Sequence, residues 1–368
     1  MIDIQLVREK PEWLQQKCDE KRVSVDVAAL VKLDTERLKL LQEVEQLRQK
    51  RNEISERMKG GSKPNQTDID EGKQLKLELT DREILLGKST DEWLSMLQLI
   101  PNPHSDDVPL GGEEDSAEIK VVGSIDGEAE DHLDYAMRRG WVDFERGAKV
   151  AGAKFYYLKG DLALLENAVV QYAIALVTQK GFTYMTVPHL VNARTATGTG
   201  FAPRSNEQND EYFIEGEDLS LIGTAEAPLT GYHADEIIDW SDLPLKYVGY
   251  SPCYRKEAGT YGKHTRGLFR VHQFNKLEMY AFVLPENSVQ MHEDILAIEE
   301  EIWQALGIPY HIINIASGDL GAPAAKKYDI EYWSRVDHMY RELTSCSNCT
   351  DFQTRGLNIR VRRTDGRV

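Results

Sequence analysis

The stretch that decides the fold is residues 254–278, which read YRKEAGTYGKHTRGLFRVHQFNKLE. Two strand-like halves flank a turn punctuated by glycine, so the stretch predicts a β-hairpin with charge on one face. Arg255 and Arg270 carry planar guanidinium groups that suit phosphate oxygens. Phe274 offers an aromatic plane for a purine, and Glu278 offers a carboxylate for an ammonium group. This set suits ATP beside an amino acid, but a hairpin with ordinary salt bridges uses the same residue types, and spacing alone leaves both open.

The distribution of charge gives a second clue. The chain has 368 residues and a formal net charge of −17, which argues against indiscriminate binding to nucleic acid. Residues 46–63 and residues 254–278 are nevertheless basic islands, each with six basic residues against two acidic ones. A solvated helix face and scattered loop charge remain alternative explanations. The basic residues of the first island are Arg48, Lys50, Arg51, Arg57, Lys59 and Lys63.

The first island overlaps one heptad pattern and is followed by another. Alternating steps of four and three residues through 33–58 and through 75–100 each find six apolar residues in eight positions. The breaker-rich segment GGSKPNQTD separates the two patterns. We therefore predict an antiparallel helical hairpin, a coiled coil whose helices each reach roughly 40 Å. Two ordinary core helices are the alternative, but dense charge on both segments favours a narrow apolar seam.

The remainder of the chain predicts a separate catalytic domain. The segment PNPHSDDVPLGGEED has the composition of a linker, so we place domains at 1–103 and 104–368. Beyond the linker, helices are expected at Asp161 to Gln179 and Ser288 to Leu306, among many short strands. The strands do not alternate regularly with helices, which favours an antiparallel sheet flanked by helices and an α+β fold class. The sequence contains no GxGxxG motif, no GxxxxGK[ST] motif and no internal repeat.

Several motifs together resemble one family. CYRKEAG and FRVHQFNKLE are similar to motif 2 of the class II aminoacyl-tRNA synthetases, in the form found in seryl-tRNA synthetases. TGTGFAP, LIGTAEAPL and ELTSCSNCTDFQTR also occur in that family. The N-terminal hairpin matches the family's tRNA-binding arm. GFTYMTVP is the weakest match, to motif 1, which in the family contributes to a homodimer interface. The resemblance covers essentially the whole chain.

The resemblance implies an ATP-dependent serine–tRNA ligase that forms seryl-adenylate and then charges tRNA(Ser). The first basic island would contact tRNA, and Arg255 would act on the α-phosphate as the catalytic residue. Mg²⁺ would be held by Glu342 and Ser345, since a hard cation prefers oxygen ligands. By position, serine would be held by Thr224, Ala225, Glu226 and Glu278. ATP would be bound by Arg255, Lys256, Glu257, Val271, Phe274, Glu342, Leu343, Thr344 and Ser345.

One departure from the family leaves alternatives open. The family's motif 3, with an arginine for the γ-phosphate, is not found before Val368, so we expect a C-terminally incomplete chain. A truncated relative that only binds tRNA or nucleotide is therefore one alternative. An amino-acid:carrier-protein ligase with the same catalytic core is another. Such ligases lack the long arm, so the predicted hairpin argues against that interpretation.

The cysteines give no indication of a zinc site, and the apolar residues give no indication of a membrane span. Cys18, Cys253, Cys346 and Cys349 are too few and too uneven for a disulfide framework, so reduced thiols are expected. CSNC is only half of a structural zinc site, and we expect no zinc. We find no apolar run long enough to span a bilayer and no secretory signal, which indicates a cytoplasmic protein without a membrane partner.

Overall fold

The computed structural model describes residues 1–59, 66–201, 210–257, 268–336 and 338–368, with only the backbone of residues 59 and 68. The described chain divides into two compact units. One unit is Ile2–Pro101, and the other is residues 102–368 together with Met1. Each unit is described by itself.

The smaller unit is a helical hairpin with two short helices before it. Helix α1 is Ile4–Glu9, α2 is Pro11–Glu20, α3 is Val27–Lys59 and α4 is Gln66–Leu99. Arg48 pairs with Glu83 and Arg57 pairs with Glu71, so α3 and α4 run antiparallel as predicted. Their buried seam consists of Val44, Leu47, Ile54, Leu75 and Leu79.

Arg37, a polar residue at a heptad position of α3, takes part in a specific contact. Asp34 is buried and accepts hydrogen bonds from Arg8, at 2.7 Å, and from Arg37, at 2.9 Å. The Arg37 guanidinium also lies 4.3 Å from the centre of the Trp93 ring. A buried carboxylate paired with two guanidinium groups avoids the cost of an unpaired charge. Arg37, which interrupts the first apolar heptad pattern, therefore meets the aromatic Trp93 of the second pattern across the hairpin.

The larger unit combines short helices and strands. Its helices are α5 (His132–Arg138), α6 (Phe144–Ala151), α7 (Asp161–Gln179), α8 (Ala193–Thr199), α9 (Glu226–Gly231), α10 (Ser288–Ala305) and α11 (Phe352–Gly356). Its strands are β1 (Ala117–Val122), β2 (Val142–Asp143), β3 (Tyr157–Leu158), β4 (Thr183–Met185), β5 (Leu190–Asn192), β6 (Tyr212–Phe213), β7 (Leu219–Leu221), β8 (Ile237–Asp239), β9 (Leu245–Tyr254), β10 (Gln273–Phe282), β11 (Tyr310–Asn314), β12 (Lys326–Ser334), β13 (Met339–Asn348) and β14 (Arg360–Arg362).

Most strand pairs are antiparallel, which confirms the α+β prediction. One sheet has the order β1–β11–β12–β13, and another has the order β10–β9–β4. Smaller sheets join β5, β7 and β6, then β2 and β3, then β14 and β8. The parallel pairs β4–β9 and β14–β8 were not predicted. Helix α10 covers the first sheet, with Leu296 packed among Tyr310, Ile312, Tyr328, Ile330 and Cys346.

The predicted hairpin is formed by β9 and β10. Their register runs from Leu245 opposite Phe282 to Tyr254 opposite Gln273, and residues 258–267 lie outside the described residues. Helix α7 has the predicted bounds, while α10 ends one residue before the predicted Leu306. The stretch GFTYMTVPHLV forms two separate short strands, β4 before Pro188 and β5 after it. Proline lacks the amide hydrogen that an internal strand position uses.

Helix α7 corrects another expectation from the sequence. Asp161–Gln179 is long and apolar enough to cross a membrane by length and composition alone, which is weak evidence for a membrane span. Its apolar surface is largely uncovered by the residues that the structure describes, and Leu164 and Leu165 are 68% and 57% exposed. An exposed apolar helix face of this kind is typical of a surface that another protein covers.

Candidate active site

A buried threonine joins two charged side chains of the β9–β10 hairpin. Thr224, only 2% exposed, donates a hydrogen bond of 2.5 Å to Glu278 Oε2. Lys276 Nζ lies 2.7 Å from the same carboxylate oxygen and 3.2 Å from Thr224 Oγ1. The hydroxyl, the ammonium and the carboxylate are thus one polar cluster, with the carboxylate charge balanced inside it.

The strand period explains why these side chains meet. Phe274, Lys276 and Glu278 alternate along β10, so all three lie on the same face of the hairpin. Opposite Glu278 stands Gly249. A Cβ added at Gly249 would lie 3.4 Å from the Ala225 Cβ, so glycine lets the segment before α9 approach the sheet closely. Ala225 is fully buried, so it packs beneath the face of the hairpin.

Glu226, the first residue of α9, adds a second carboxyl group. Its Oε1 accepts a hydrogen bond of 2.6 Å from Gln353 Nε2, donated from α11. Burial, reinforced by the nearby charge of Glu278, raises the pKa of Glu226 to about 7. The hairpin face therefore holds one carboxylate paired with Lys276 and another that titrates near neutral pH.

The open end of the hairpin gathers most of the predicted ATP residues. The Arg255 guanidinium lies 5.2 Å from the centre of the Phe274 ring, and the Arg255 amide donates to the carbonyl of His272 at 3.1 Å. Arg270 Nη1 lies 3.1 Å from Glu257 Oε2. Guanidinium groups beside an aromatic plane suit the phosphates and the base of a nucleotide.

The two remaining hairpin residues predicted to bind ATP differ in their surroundings. Lys256 Nζ lies 5.7 and 5.6 Å from the ring centres of Tyr212 and Phe213. Val271 is buried at 4% exposure, so its side chain belongs to the packing beneath the site. The structure therefore offers a cation at Lys256 for contact with a ligand, whereas Val271 is part of the packing.

A bulge in β13 decides where the predicted metal ligands point. Residues three apart, such as Glu342 and Ser345, lie on opposite faces of a regular strand. Here Ser345 stands opposite Asp329 and Glu342 stands opposite Glu331, while the register skips Leu343. Because Asp329 and Glu331 share a face of β12, Glu342 and Ser345 share that face too. Carboxylate and hydroxyl oxygens on one face fit the ligand preference of Mg²⁺.

Thr344 turns to the other face of β13, toward α10. Its hydroxyl accepts a hydrogen bond of 3.1 Å from Trp303 Nε1 and donates one of 3.3 Å to Glu299 Oε2. Burial raises the pKa of Glu299 to about 8, so this carboxyl group is largely protonated at neutral pH. The Thr344 side chain is therefore part of the support beneath β13 and lies away from the face of Glu342.

The cysteines of CSNC lie on and just beyond β13. Cys346 is buried in the core under α10, and all four cysteines of the chain are free thiols. Within the described residues, no group of three or more His, Cys, Asp or Glu side chains could hold a metal ion. Burial raises the pKa of the Cys346 thiol well above its usual value, which disfavours the thiolate that zinc requires.

The arm residues are distributed along α3. Lys50 and Arg51 are exposed, while Arg48 and Arg57 form the exposed pairs with α4 described above. Lys63 and the side chain of Lys59 lie outside the described residues. The basic island thus presents its described members on the solvent side of the hairpin.

Comparisons with known proteins cover both units. A family model described as the seryl-tRNA synthetase N-terminal domain matches residues 1–104, and the tRNA synthetase class II core domain (G, H, P, S and T) matches residues 211–368. The serine–tRNA ligase of Dictyoglomus turgidum is 45% identical over 376 residues, covering 100% of this chain and 88% of the relative. The chain belongs to the seryl-tRNA synthetases.

Solved seryl-tRNA synthetase structures agree with this assignment. The seryl-tRNA synthetase of Pyrococcus horikoshii complexed with ATP has a TM-score of 0.88 at 37% identity, over 100% of this chain and 89% of that chain. The cytoplasmic serine–tRNA ligase of Naegleria fowleri in complex with AMP has a TM-score of 0.83 at 30% identity, over 99% and 87% of the two chains. The resemblance predicted from the motifs is confirmed.

Three polar residues of this seryl-tRNA synthetase site were not predicted: Lys276, Gln353 and Glu299. Lys276 could have been found from the alternation of Phe274, Lys276 and Glu278 along one strand. Gln353 stands in the quoted motif DFQTR, but nothing in its local sequence indicates a partner 127 residues away. Glu299 looks like any charged helix residue until α10 is packed against β13.

Proposed function

We propose that this seryl-tRNA synthetase activates serine with ATP and transfers the seryl group to tRNA(Ser). The cluster of Thr224, Lys276 and Glu278 beside the Arg255–Phe274 contact carries the proposal. A serine carboxylate oxygen would attack the α-phosphorus of ATP, forming the acyl phosphate bond as the bond to pyrophosphate breaks. A hydroxyl of the 3′-terminal ribose of tRNA would then attack the seryl carbonyl carbon, forming the ester bond and releasing AMP.

Serine would bind on the Glu278 face of the hairpin. Glu226 and Glu278 suit the substrate ammonium, and the Thr224 hydroxyl suits a small polar ligand. Lys276 Nζ lies 2.7 Å from the Glu278 carboxylate and balances its charge. No general base is needed, since the serine carboxylate is already the nucleophile. The protein therefore contributes position and charge stabilisation.

ATP would lie across the open end of the hairpin. Phe274 would stack on adenine, and Arg255 would hold the α-phosphate and stabilise the charge that develops there. Glu257 and the backbone at Val271 would lie near the adenosine, with Lys256 nearby. Glu342 and Ser345 would hold Mg²⁺, which when bound neutralises phosphate charge. Leu343 and Thr344 would contribute backbone atoms between these two ligands.

Partner surfaces complete the proposal. The described basic residues of α3 would contact the tRNA backbone, which positions the nucleic acid rather than reading its bases. A second copy of the chain would cover the apolar face of α7, where Leu164 and Leu165 are exposed. In this proposal the apolar face of α7 belongs to a homodimer interface of a cytoplasmic protein and not to a membrane span.

Serine-dependent exchange of pyrophosphate into ATP tests the activity on the full chain. We expect exchange with serine and much weaker exchange with alanine or threonine. Charging of tRNA(Ser) should then exceed charging of a phosphopantetheine carrier protein, which separates the carrier-ligase alternative. Tight binding of ATP and tRNA with no serine-dependent exchange would instead support the binding-protein alternative and overturn the proposal.

A further inference from the structure

Gln353 connects three separated segments through one buried amide group. It is 2% exposed, and its Nε2 donates to Glu226 Oε1 at 2.6 Å and to the carbonyl oxygen of Thr199 at 3.0 Å. Its Oε1 accepts a hydrogen bond of 2.9 Å from the Tyr280 hydroxyl. The amide thus meets the end of α8, the start of α9 and strand β10 at one point.

The hydrogen bonds fix the orientation of this amide. Burial raises the pKa of Tyr280 far above its usual value, so its hydroxyl keeps the proton that it donates. An amide can accept this proton only through its oxygen, which leaves its two N–H groups for Thr199 and Glu226. Rotating the amide by half a turn would set its oxygen against the carbonyl oxygen of Thr199, which has no proton to donate, and against the carboxyl group of Glu226.

We propose that Gln353 and Tyr280 are positioning residues for Glu226, holding its carboxyl group by one oxygen so that the other serves the ammonium group of the substrate. The inference rests on the proposed role of Glu226 in binding serine. Tyr280 acts indirectly, because its hydroxyl donates to Gln353 Oε1 and so orients the amide that holds Glu226. Neither residue carries the chemistry of the reaction.

The charges around Glu226 make this anchoring necessary. Glu278, Lys276 and Arg255 all interact electrostatically with it, the first repelling and the other two attracting. A flexible carboxylate in that field would move toward the cations, and the Lys276–Glu278 pair would be disturbed. A hydrogen bond from a neutral amide holds Glu226 without adding another charge to the cluster.

Kinetics on the full chain test the proposal. We expect Gln353→Met to raise the KM for serine about 10- to 100-fold, as expected for loss of a charged hydrogen bond, and Tyr280→Phe about 2- to 10-fold. The KM for ATP and the kcat should change little. Tyr310→Phe is the matched control, because Tyr310 lies in a different sheet from Tyr280 and its hydroxyl donates to Glu300 of α10 at 2.7 Å. Unchanged serine KM values in both variants, with exchange retained, would overturn the inference.

A third variant gives a readout that loss of packing would not produce. Gln353→Glu places two carboxyl groups at hydrogen-bond distance, and such a pair can share one proton. Its serine KM should be close to that of the unsubstituted protein near pH 6 and should rise toward pH 8.5 as the second proton leaves. A pH profile parallel to that of the unsubstituted chain would contradict direct contact between residues 353 and 226.

A measurement without substrate separates this inference from the proposed function. The pKa of Glu226 is raised in the folded state, so its contribution to stability is lost as the pH rises through about 7. Gln353→Met removes a donor to the carboxylate and should raise that pKa further, extending the fall in Tm to higher pH. Parallel Tm curves would refute the anchoring, whereas absent exchange in the unsubstituted chain would refute the function alone.

Discussion

Thr224 and Glu278 are 54 positions apart in sequence, yet the threonine hydroxyl donates to the glutamate carboxylate at 2.5 Å. The contact joins the segment before α9 to the middle of β10. Because Lys276 contacts both groups, none of the three can move independently. The cluster proposed to bind serine thus depends on the close packing of Ala225 against Gly249.

Glu278→Gln should weaken serine activation about 10- to 100-fold in kcat/KM, because the amide keeps the shape but loses the charge that pairs with an ammonium group. The affinity for ATP, measured by calorimetry without serine, should remain within about twofold of the unsubstituted value. Serine-dependent exchange at the unsubstituted rate would show that the carboxylate has no part in binding serine.

Phe274→Leu should raise the KM for ATP about fivefold, since an aromatic face for a base or a cation contributes on the order of 1 kcal/mol. The KM for serine should change less. Tyr157→Leu, an exposed aromatic on β3, is the control for a general effect of removing a ring. Equal ATP affinity in the Phe274 variant and the control would exclude stacking at this position.

Glu299→Gln should flatten the dependence of stability on pH. The folded pKa of Glu299 is raised to about 8, above the unfolded value, so its contribution is complete at low pH and lost as pH rises toward 8. Glutamine keeps an acceptor for the Thr344 hydroxyl and has no proton to lose. The Tm advantage of the variant should therefore increase between pH 6 and pH 8.5. A constant difference in Tm would mean that Glu299 does not titrate in this range.

Lys50→Gln combined with Arg51→Gln should weaken tRNA binding and reduce the slope of log affinity against log salt by about one to two. Adenylate formation should be unaffected, because the substitutions lie in the smaller unit. Lys10→Gln combined with Lys32→Gln is the matched control, since it removes the same charge outside the basic island. An equal loss in both double variants would indicate a general charge effect instead of a contact surface.

Leu164→Glu combined with Leu165→Glu should convert the expected dimer into a monomer, measured by analytical ultracentrifugation. Burying two charges without partners is costly, so a second copy could no longer cover α7. Leu77→Glu, at an equally exposed leucine of the arm, should leave the mass unchanged. A dimer that persists in the α7 variant would place the interface elsewhere.

The sequence predicts those elements whose periodicity is strong and local. The heptads predicted the antiparallel pairing of α3 and α4, and the β9–β10 hairpin followed from its two strand-like halves. Short strands with partners distant in sequence were harder. Strand β13, Met339–Asn348, was not predicted, because the Ser, Asn and Cys residues in its second half are weak strand residues. Pairing with β12 on one side overrides that preference.

The site was predictable through motif residues but not through the contacts between them. In a regular strand, side chains alternate between the two faces, which would place Glu342 and Ser345 on opposite faces. Only the bulge at Leu343 puts them on the same face. Thr344 was assigned to ATP by position, and its side chain donates a hydrogen bond to Glu299 on the opposite face of the strand from Glu342. Such details depend on a register that pairs segments far apart, and local sequence carries no record of that register.

Because α3 and α4 pair antiparallel, the arm can be shortened by equal deletions in the two helices. Removing seven residues from each helix near the tip would shorten it by about 10 Å and keep the apolar seam in phase. The residues at the base of the hairpin would stay paired as before, because the two helices are shortened by the same length. Charging by a series of such variants, with adenylate formation as the internal standard, would report the distance at which tRNA is held.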